Sequence, residues 1–127
     1  MIGYIMLGTN DLGRAGVFYD ALLAEFGAGR TLEEEDHFIA WADSAGSPML
    51  SLSRPFDEKS ATVGNGTMVA LAVESPGRVD AVYRAAIDLG AADEGAPGER
   101  SPGFYASYFR DPDSNKLCVY SLEGADS

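Results

Sequence analysis

The chain has 127 residues and a formal net charge of −11, from 20 acidic against 9 basic side chains. Its length suits one compact domain, and the hydrophobic fraction of 46% is enough for a folded core. Nucleic-acid binding is disfavoured because phosphate contacts need clustered Lys and Arg. No run approaches the roughly 18 apolar residues that a membrane helix needs. The single cysteine, Cys118, excludes an intrachain disulfide, so we expect a soluble, cytoplasmic protein with no membrane or nucleic-acid partner.

The first half of the chain predicts a strand, a helix and three further strands. Weak alternation over residues 2–9 indicates the first strand, and either Asn10 or Asp11 can cap the helix that follows. Apolar residues at helical spacing lead to Gly27, which predicts the end of this helix. Residues 29–35 are a polar strand candidate and residues 37–42 a better one. After a turn at residues 44–48, residues 49–53 complete the unit as its last strand.

The second half predicts the same elements in the same order, after a polar linker that ends near Gly66. Ser75 followed by Pro76 predicts a helix start, and Gly90 predicts its end. Residues 92–103 follow a short strand candidate with closely spaced Gly and Pro, so we expect a mobile loop there. The remaining segments are predicted as strands over 67–74, 104–110 and 116–122, a turn over 111–115, and a frayed tail over 123–127.

The two halves repeat one another. The pairs Gly13-Arg14 and Gly77-Arg78 lie 64 residues apart, as do Tyr19 and Tyr83. A repeat this long indicates two copies of one supersecondary unit. We therefore predict a single α+β domain of two tandem βαβββ modules forming one cleft. Its parts are the first module at 1–54, the linker at 55–66, the second module at 67–122 and the tail at 123–127.

Each module is expected to carry its helix on one face of a small sheet. The helix would cover strand residues of one parity, such as Ile5 and Leu7, and leave Tyr4 and Met6 on the other face. Two sheets facing each other would form a ligand-binding cleft, either within one chain or between exchanged modules. Exposed sheet edges favour a partner, so a homodimer is expected.

Two sequence motifs resemble the vicinal oxygen chelate superfamily, which includes glyoxalase I, extradiol dioxygenases and the bleomycin resistance proteins. These motifs are Asp-Leu-Gly-Arg-Ala at 11–15 leading into Phe-Tyr at 18–19, and Phe-Arg-Asp-Pro-Asp-Ser-Asn-Lys-Leu at 109–117. The resemblance covers nearly the whole chain and implies the glyoxalase/bleomycin resistance-like fold. It is a weaker sign of function, because one scaffold serves many chemistries.

Metal-dependent members of this superfamily resemble one another in placing a His near the start of each copy's first strand and a Glu or other ligand on each last strand. The resemblance puts these positions at Tyr4, Ser51, Met68 and Cys118. Divalent ions prefer imidazole and carboxylate ligands, whereas neutral hydroxyls are poor ligands and thioether sulfur is soft. We therefore expect that the metal site is lost and that no cofactor binds. Met68 with Cys118 leaves Cu(I) open in principle.

Four other interpretations concern single residues. His37, the one histidine, could be a general base, but its acidic neighbours favour a solvated or salt-bridged surface residue. Cys118 could be a nucleophile, but no basic residue near it in sequence would lower its pKa. Trp41 and Tyr108 occupy equivalent third-strand positions under the repeat. Both are predicted either as core residues or as an aromatic wall of the cleft.

Two functions stay open from the sequence. The first is metal-independent binding, or sequestration, of a small cationic or aromatic molecule, as the resemblance to bleomycin resistance proteins implies. The negative net charge would concentrate a cation. Its ligand-binding residues would be Tyr4, Ser51, Met68, Cys118, Trp41 and Tyr108. The second is a glyoxalase-like lyase, isomerase or dioxygenase that has a differently placed metal site or works without metal. No catalytic residue is assigned, so whether the protein is an enzyme stays open.

Overall fold

Each half of the chain forms a β-α-β-β-β module in the computed structural model, which describes residues 1–122. Module 1 lies within the compact unit Met1–Val63, and module 2 lies in the unit that begins at Gly64. The elements of module 1 are β1 (Tyr4–Gly8), α1 (Leu12–Ala24), β2 (Gly29–Glu34), β3 (Phe38–Ala42) and β4 (Met49–Ser53). Those of module 2 are β5 (Val69–Ala72), α2 (Pro76–Asp88), β6 (Ala92–Ser101), β7 (Phe104–Arg110) and β8 (Lys116–Ser121).

The two sheets have the same strand order. It is β1-β4-β3-β2 in module 1 and β5-β8-β7-β6 in module 2. In each sheet the first strand pairs parallel with the last, and the other neighbours pair antiparallel. The helix between the first two strands supplies the crossover that a parallel pair needs. The prediction of an α+β fold with two βαβββ modules is confirmed.

The helix ends follow the chemistry of their terminal residues. Of the two possible caps for α1, Asp11 is the one used, and its Oδ1 accepts a hydrogen bond from the backbone N–H of Arg14 at 2.9 Å. Ser75 caps α2 in the same way. Gly27 and Gly90 follow the helices with φ of +72° and +100°. This left-handed conformation costs a glycine little, which explains why both copies end their helices with one.

The expected mobile loop over residues 92–103 is wrong, because most of this segment is strand β6, Ala92–Ser101. Strand β6 is an edge strand that pairs with β7 through three register shifts, one of them between Gly95 and Gly98. Edge strands tolerate such bulges, and Gly and Pro are placed there at little cost to the ladder. The predicted frayed tail lies outside the described residues.

Each sheet has a helix face and an open face, and the core of each module lies on its helix face. The pairing register puts Ile39, Trp41, Leu50 and Leu52 on the helix face in module 1, together with Leu7. Phe109, Leu117 and Val119 occupy that face in module 2. All of these side chains are buried, and each large one contributes roughly 1.5–3 kcal/mol by leaving water.

Candidate functional site

The open face of module 1 brings together side chains from three adjacent strands. Met6 on β1 and Ala40 on β3 both pair with Ser51 on β4. Tyr4 precedes Met6 by two residues and therefore lies on the same face. Tyr4 is 59% exposed and Met6 is 50% exposed, whereas Ser51 is buried. This face consequently offers a phenol and a thioether to solvent above a buried hydroxyl.

The open face of module 2 is built in the same register. Ala70 on β5 and Tyr108 on β7 both pair with Cys118 on β8. Met68 stands one residue before β5, has the same parity as Ala70 and is 43% exposed. Cys118 is buried beside the half-buried Tyr108. Tyr108 and Cys118, two of the residues predicted from the sequence, are therefore direct neighbours.

The registers support part of the sequence overlay and correct the rest. Ser51 and Cys118 hold matching places on the last strand of each sheet. The equivalence of Trp41 and Tyr108 is wrong, because the residue that pairs with Ser51 is Ala40. The turn before the last strand spans residues 43–48 in module 1 but only 111–115 in module 2. A one-residue difference of this kind moves a strand side chain to the other face of the sheet.

Trp41 lies on the helix face and not with the residues of the open face. It is 1% exposed, its ring centroid stands 5.7 Å from that of Tyr19, and its Nε1 donates to Asp20 Oδ1 at 2.9 Å. Arg30 pairs with the same carboxylate at 2.8 Å. Hydrogen bonding from Arg30, with a smaller effect from Trp41, lowers the pKa of Asp20. Of the two alternatives for Trp41, the structure therefore shows the core residue.

Tyr108 has two cationic neighbours that nothing in the sequence marked. Arg100 Cζ and Lys116 Nζ each lie 5.4 Å from the centroid of its ring. Arg100 belongs to the segment predicted as a loop, and its approach depends on the pairing of β6 with β7. Burial raises the pKa of the Cys118 thiol, and hydrogen bonding from Tyr108 and the positive charges of Arg100 and Lys116 oppose that rise. The prediction that no basic residue near Cys118 in sequence would lower its pKa is therefore wrong, because Lys116 stands two residues before it.

The donor set at the four superfamily positions does not fit a catalytic divalent ion. Tyr4 and Ser51 offer neutral hydroxyls, Met68 offers a thioether, and Cys118 offers a thiol that burial holds in its protonated form. Divalent zinc, nickel, iron and manganese prefer imidazole, carboxylate or thiolate. Across residues 1–122, no three His, Cys, Asp or Glu side chains are grouped so that they could hold a metal ion.

Module 1 also contains a cavity of about 1260 Å³ beside the end of β1. Its walls are residues 6–10, 36–37 and 53–62, so the segment predicted as a linker encloses part of it. Ala61 N donates to Asn10 Oδ1 at 2.6 Å, which fastens this segment to the residue after β1. His37 is one of the lining residues; its side chain is exposed, and its Nε2 lies 3.7 Å from Glu34 Oε1. The prediction of a surface histidine beside acidic residues is confirmed.

The repeated module, its strand order and the turn before β8 together identify the family. A family model described as a glyoxalase-like domain matches residues 4–120. The chain belongs to the glyoxalase-like family. The vicinal oxygen chelate superfamily implied by the sequence motifs is thereby confirmed. A comparison with curated proteins finds no match. Within residues 1–122, no helix has both the length and the apolar character of a membrane span.

Several solved structures are similar to this glyoxalase-like chain. A glyoxalase/bleomycin resistance protein from Albidiferax ferrireducens T118 is 34% identical, with a TM-score of 0.85 and coverage of 95% of this chain and 98% of that one. A glyoxalase/bleomycin resistance protein/dioxygenase family enzyme from Burkholderia phytofirmans PsJN is 20% identical, with a TM-score of 0.77 and coverage of 94% of this chain and 97% of that one. The lactoylglutathione lyase of Agrobacterium tumefaciens is 23% identical, with a TM-score of 0.71 and coverage of 95% and 92%. The last two likenesses show the fold alone.

Proposed function

We propose that this glyoxalase-like protein binds a small organic molecule on the open faces of its sheets without a metal ion. The observation that carries the proposal is the content of the four superfamily positions. Tyr4, Ser51, Met68 and Cys118 supply hydroxyl and sulfur groups, which suit apolar contact and neutral hydrogen bonds. No pair of carboxylates stands at these positions to balance a dication.

Large apolar side chains on the open faces support binding of an aromatic molecule. In module 2, the rings of Phe104 and Tyr120 lie 5.6 Å apart at 31°, and both are half-buried. In module 1, Tyr4 and Met6 are about half exposed. Rigid aromatic groups bury much area at small conformational cost, and ligand sites are mostly apolar with a few polar groups.

The names of the relatives support two functions unequally. The 34% identical protein is called a glyoxalase/bleomycin resistance protein, a name that mentions both glyoxalase and bleomycin resistance. The lactoylglutathione lyase is too distant in sequence to carry its activity to this chain. Binding is preferred because the four positions lack the ligands of a metal-dependent lyase.

Two measurements on the purified protein test this proposal. Elemental analysis of protein prepared without chelators should show no stoichiometric nickel, zinc, iron or manganese. A thermal-shift screen of aromatic compounds with different charges should yield saturable binders. Tyr4→Ala should weaken their binding, whereas Val17→Ala, which shortens an exposed apolar side chain on α1, should not. One bound metal per chain would favour the lyase alternative, and a screen without any binder would contradict the proposal.

A further inference from the structure

Two positive charges gather on the open face of module 2, although the whole chain carries a net charge of −11. Arg100 and Lys116 approach the ring of Tyr108 to the same distance, 5.4 Å from its centroid. Lys116 precedes Cys118 by two residues on β8, so its side chain starts from the same face as Tyr108. Like charges repel, and an aromatic ring offsets only part of that repulsion.

Within residues 1–122, no carboxylate neutralises these two cations. Arg110, on the same face, is paired with Glu94 at 3.0 Å and donates to the carbonyl of Ser114 at 2.9 Å. By contrast, Arg100 donates to the carbonyl of Ala96 at 2.6 Å. Neither Arg100 nor Lys116 has a carboxylate at ion-pair distance in the part of the chain that the structure describes. As far as residues 1–122 are concerned, their charge is therefore available to a ligand.

Two glycines of β6 leave the space that the Arg100 side chain occupies. A Cβ at Gly98 would stand 2.8 Å from Arg100 Nη1. A Cβ at Gly95 would stand 3.3 Å from Arg100 Nη2 and 3.1 Å from Tyr108 Cδ2. Side chains at these positions would push the guanidinium away from the ring. The bulged edge strand thus has a definite consequence, which is to lay Arg100 against Tyr108.

We propose that the open face of module 2 binds a small aromatic anion, a carboxylate or a phosphate ester. Arg100 and Lys116 each hold a positive charge beside the Tyr108 ring, where either can contact the anionic group, and the Phe104–Tyr120 pair on the same face contacts the ring of the ligand. This inference rests on the proposed function and names its ligand class. It replaces the cationic ligand that the net charge suggested, because the local charge on this face is positive.

Four closely similar probes test the charge of the ligand. Benzoate and phenyl phosphate are anions, benzamide is the neutral counterpart and benzamidinium the cation. Titration of ¹⁵N-labelled protein should show saturable shifts at Gly95, Gly98 and Cys118 with the two anions. Benzamide should bind with about tenfold lower affinity, because it is neutral and cannot form the stronger, charge-assisted hydrogen bonds that the anions form. A preference between benzoate and phenyl phosphate distinguishes the two sources of negative charge.

Three variants and two controls assign the effect to this cluster. Arg100→Gln and Lys116→Gln should each weaken benzoate binding about tenfold and leave benzamide binding unchanged. Arg84→Gln, which removes an exposed charge from α2, should change neither. Gly98→Ala should weaken benzoate binding several-fold. Gly77→Ala, where a Cβ would meet no atom closer than 3.8 Å, should not weaken it.

The outcomes separate this inference from the function on which it rests. If benzamide or benzamidinium bound to the same residues as tightly as benzoate, the anionic class would be wrong while binding of organic molecules stood. The same conclusion would follow if neither anion bound but neutral compounds from the thermal-shift screen did. If no compound of either set bound, both the inference and the proposed function would be overturned.

Discussion

Replacing Asp111 by Ala should destabilise the protein, because this carboxylate organises the turn before β8. Asp111 is 4% exposed. Its Oδ1 accepts hydrogen bonds from the backbone N–H groups of Asp113 at 2.8 Å and Asn115 at 2.9 Å. Its Oδ2 accepts a third from Asn115 Nδ2 at 3.0 Å. The turn also holds Ser114 at a φ of +70°, a conformation that a non-glycine residue adopts only when its surroundings enforce it.

The expected loss of unfolding free energy is about 3 kcal/mol. A hydrogen bond to a charged group contributes about 1.5–3 kcal/mol, and such contributions within one network are not additive. Asp111→Ala also leaves the N–H of Asn115 without its carboxylate acceptor in a buried position, which costs about 1–3 kcal/mol. Asp111→Asn retains one carbonyl oxygen and should cost about half as much. Such a loss is a large part of the roughly 5–15 kcal/mol typical of a folded domain.

Urea unfolding followed by far-ultraviolet circular dichroism measures this loss at neutral pH. Asp57→Ala is a matched control, because Asp57 accepts a single hydrogen bond, from the backbone N–H of Lys59 at 3.0 Å, in an exposed turn. That variant should lose less than about 1 kcal/mol. If Asp111→Ala were no more destabilising than Asp57→Ala, water would be replacing the carboxylate, and the structural role assigned to Asp111 would be refuted.

Three further predictions concern buried or fastened side chains. Trp41→Phe should cost about 1–2 kcal/mol through loss of the bond to Asp20, measured by urea unfolding, and no loss would contradict that bond. Cys118 should react with iodoacetamide at least about tenfold more slowly in the native than in the urea-unfolded protein, because burial raises its pKa. The contribution of this thiol to the unfolding free energy is fully present at pH values below its pKa in the unfolded chain. It is lost as the pH rises through its higher pKa in the folded protein. Asn10→Ala should speed proteolysis within residues 54–62 by releasing Ala61, and an unchanged cleavage rate would oppose that role.

The fold followed from the sequence wherever local chemistry and the repeat agreed. Caps, glycine terminators and turn residues act within a few positions, so they located α1, α2 and most strands to within a few residues. Strand β6 escaped prediction because Gly95, Pro97 and Gly98 have little β-propensity. That strand exists through its pairing with β7, a tertiary contact that its own residues do not indicate.

The site was predicted in part, and the division has a physical cause. On the last strand, Ser51 pairs with Met6 and Cys118 pairs with Ala70, so the overlay of Ser51 on Cys118 agrees with the registers. The third strand joins the last one through a turn of different length in each module, so the same overlay put Trp41 in the place of Ala40. The contribution of Arg100 depends on a bulged edge strand and has no local signal.

The helix faces and open faces of the two modules have diverged to different degrees. On the helix face, Trp41, Leu50 and Leu52 correspond to the apolar residues Phe109, Leu117 and Val119. One matching place differs, because module 2 has the buried Ser107 where module 1 has Ile39. On the open face, the large side chain lies on a different strand in each copy. Module 1 has Met6 on its first strand and Ala40 on its third, whereas module 2 has Ala70 on its first strand and Tyr108 on its third. A core position tolerates little change in volume, whereas an open position is limited chiefly by what it binds. Because only module 2 carries Tyr at this third-strand position, only that copy provides the ring that Arg100 contacts. We therefore expect charge recognition to depend on module 2.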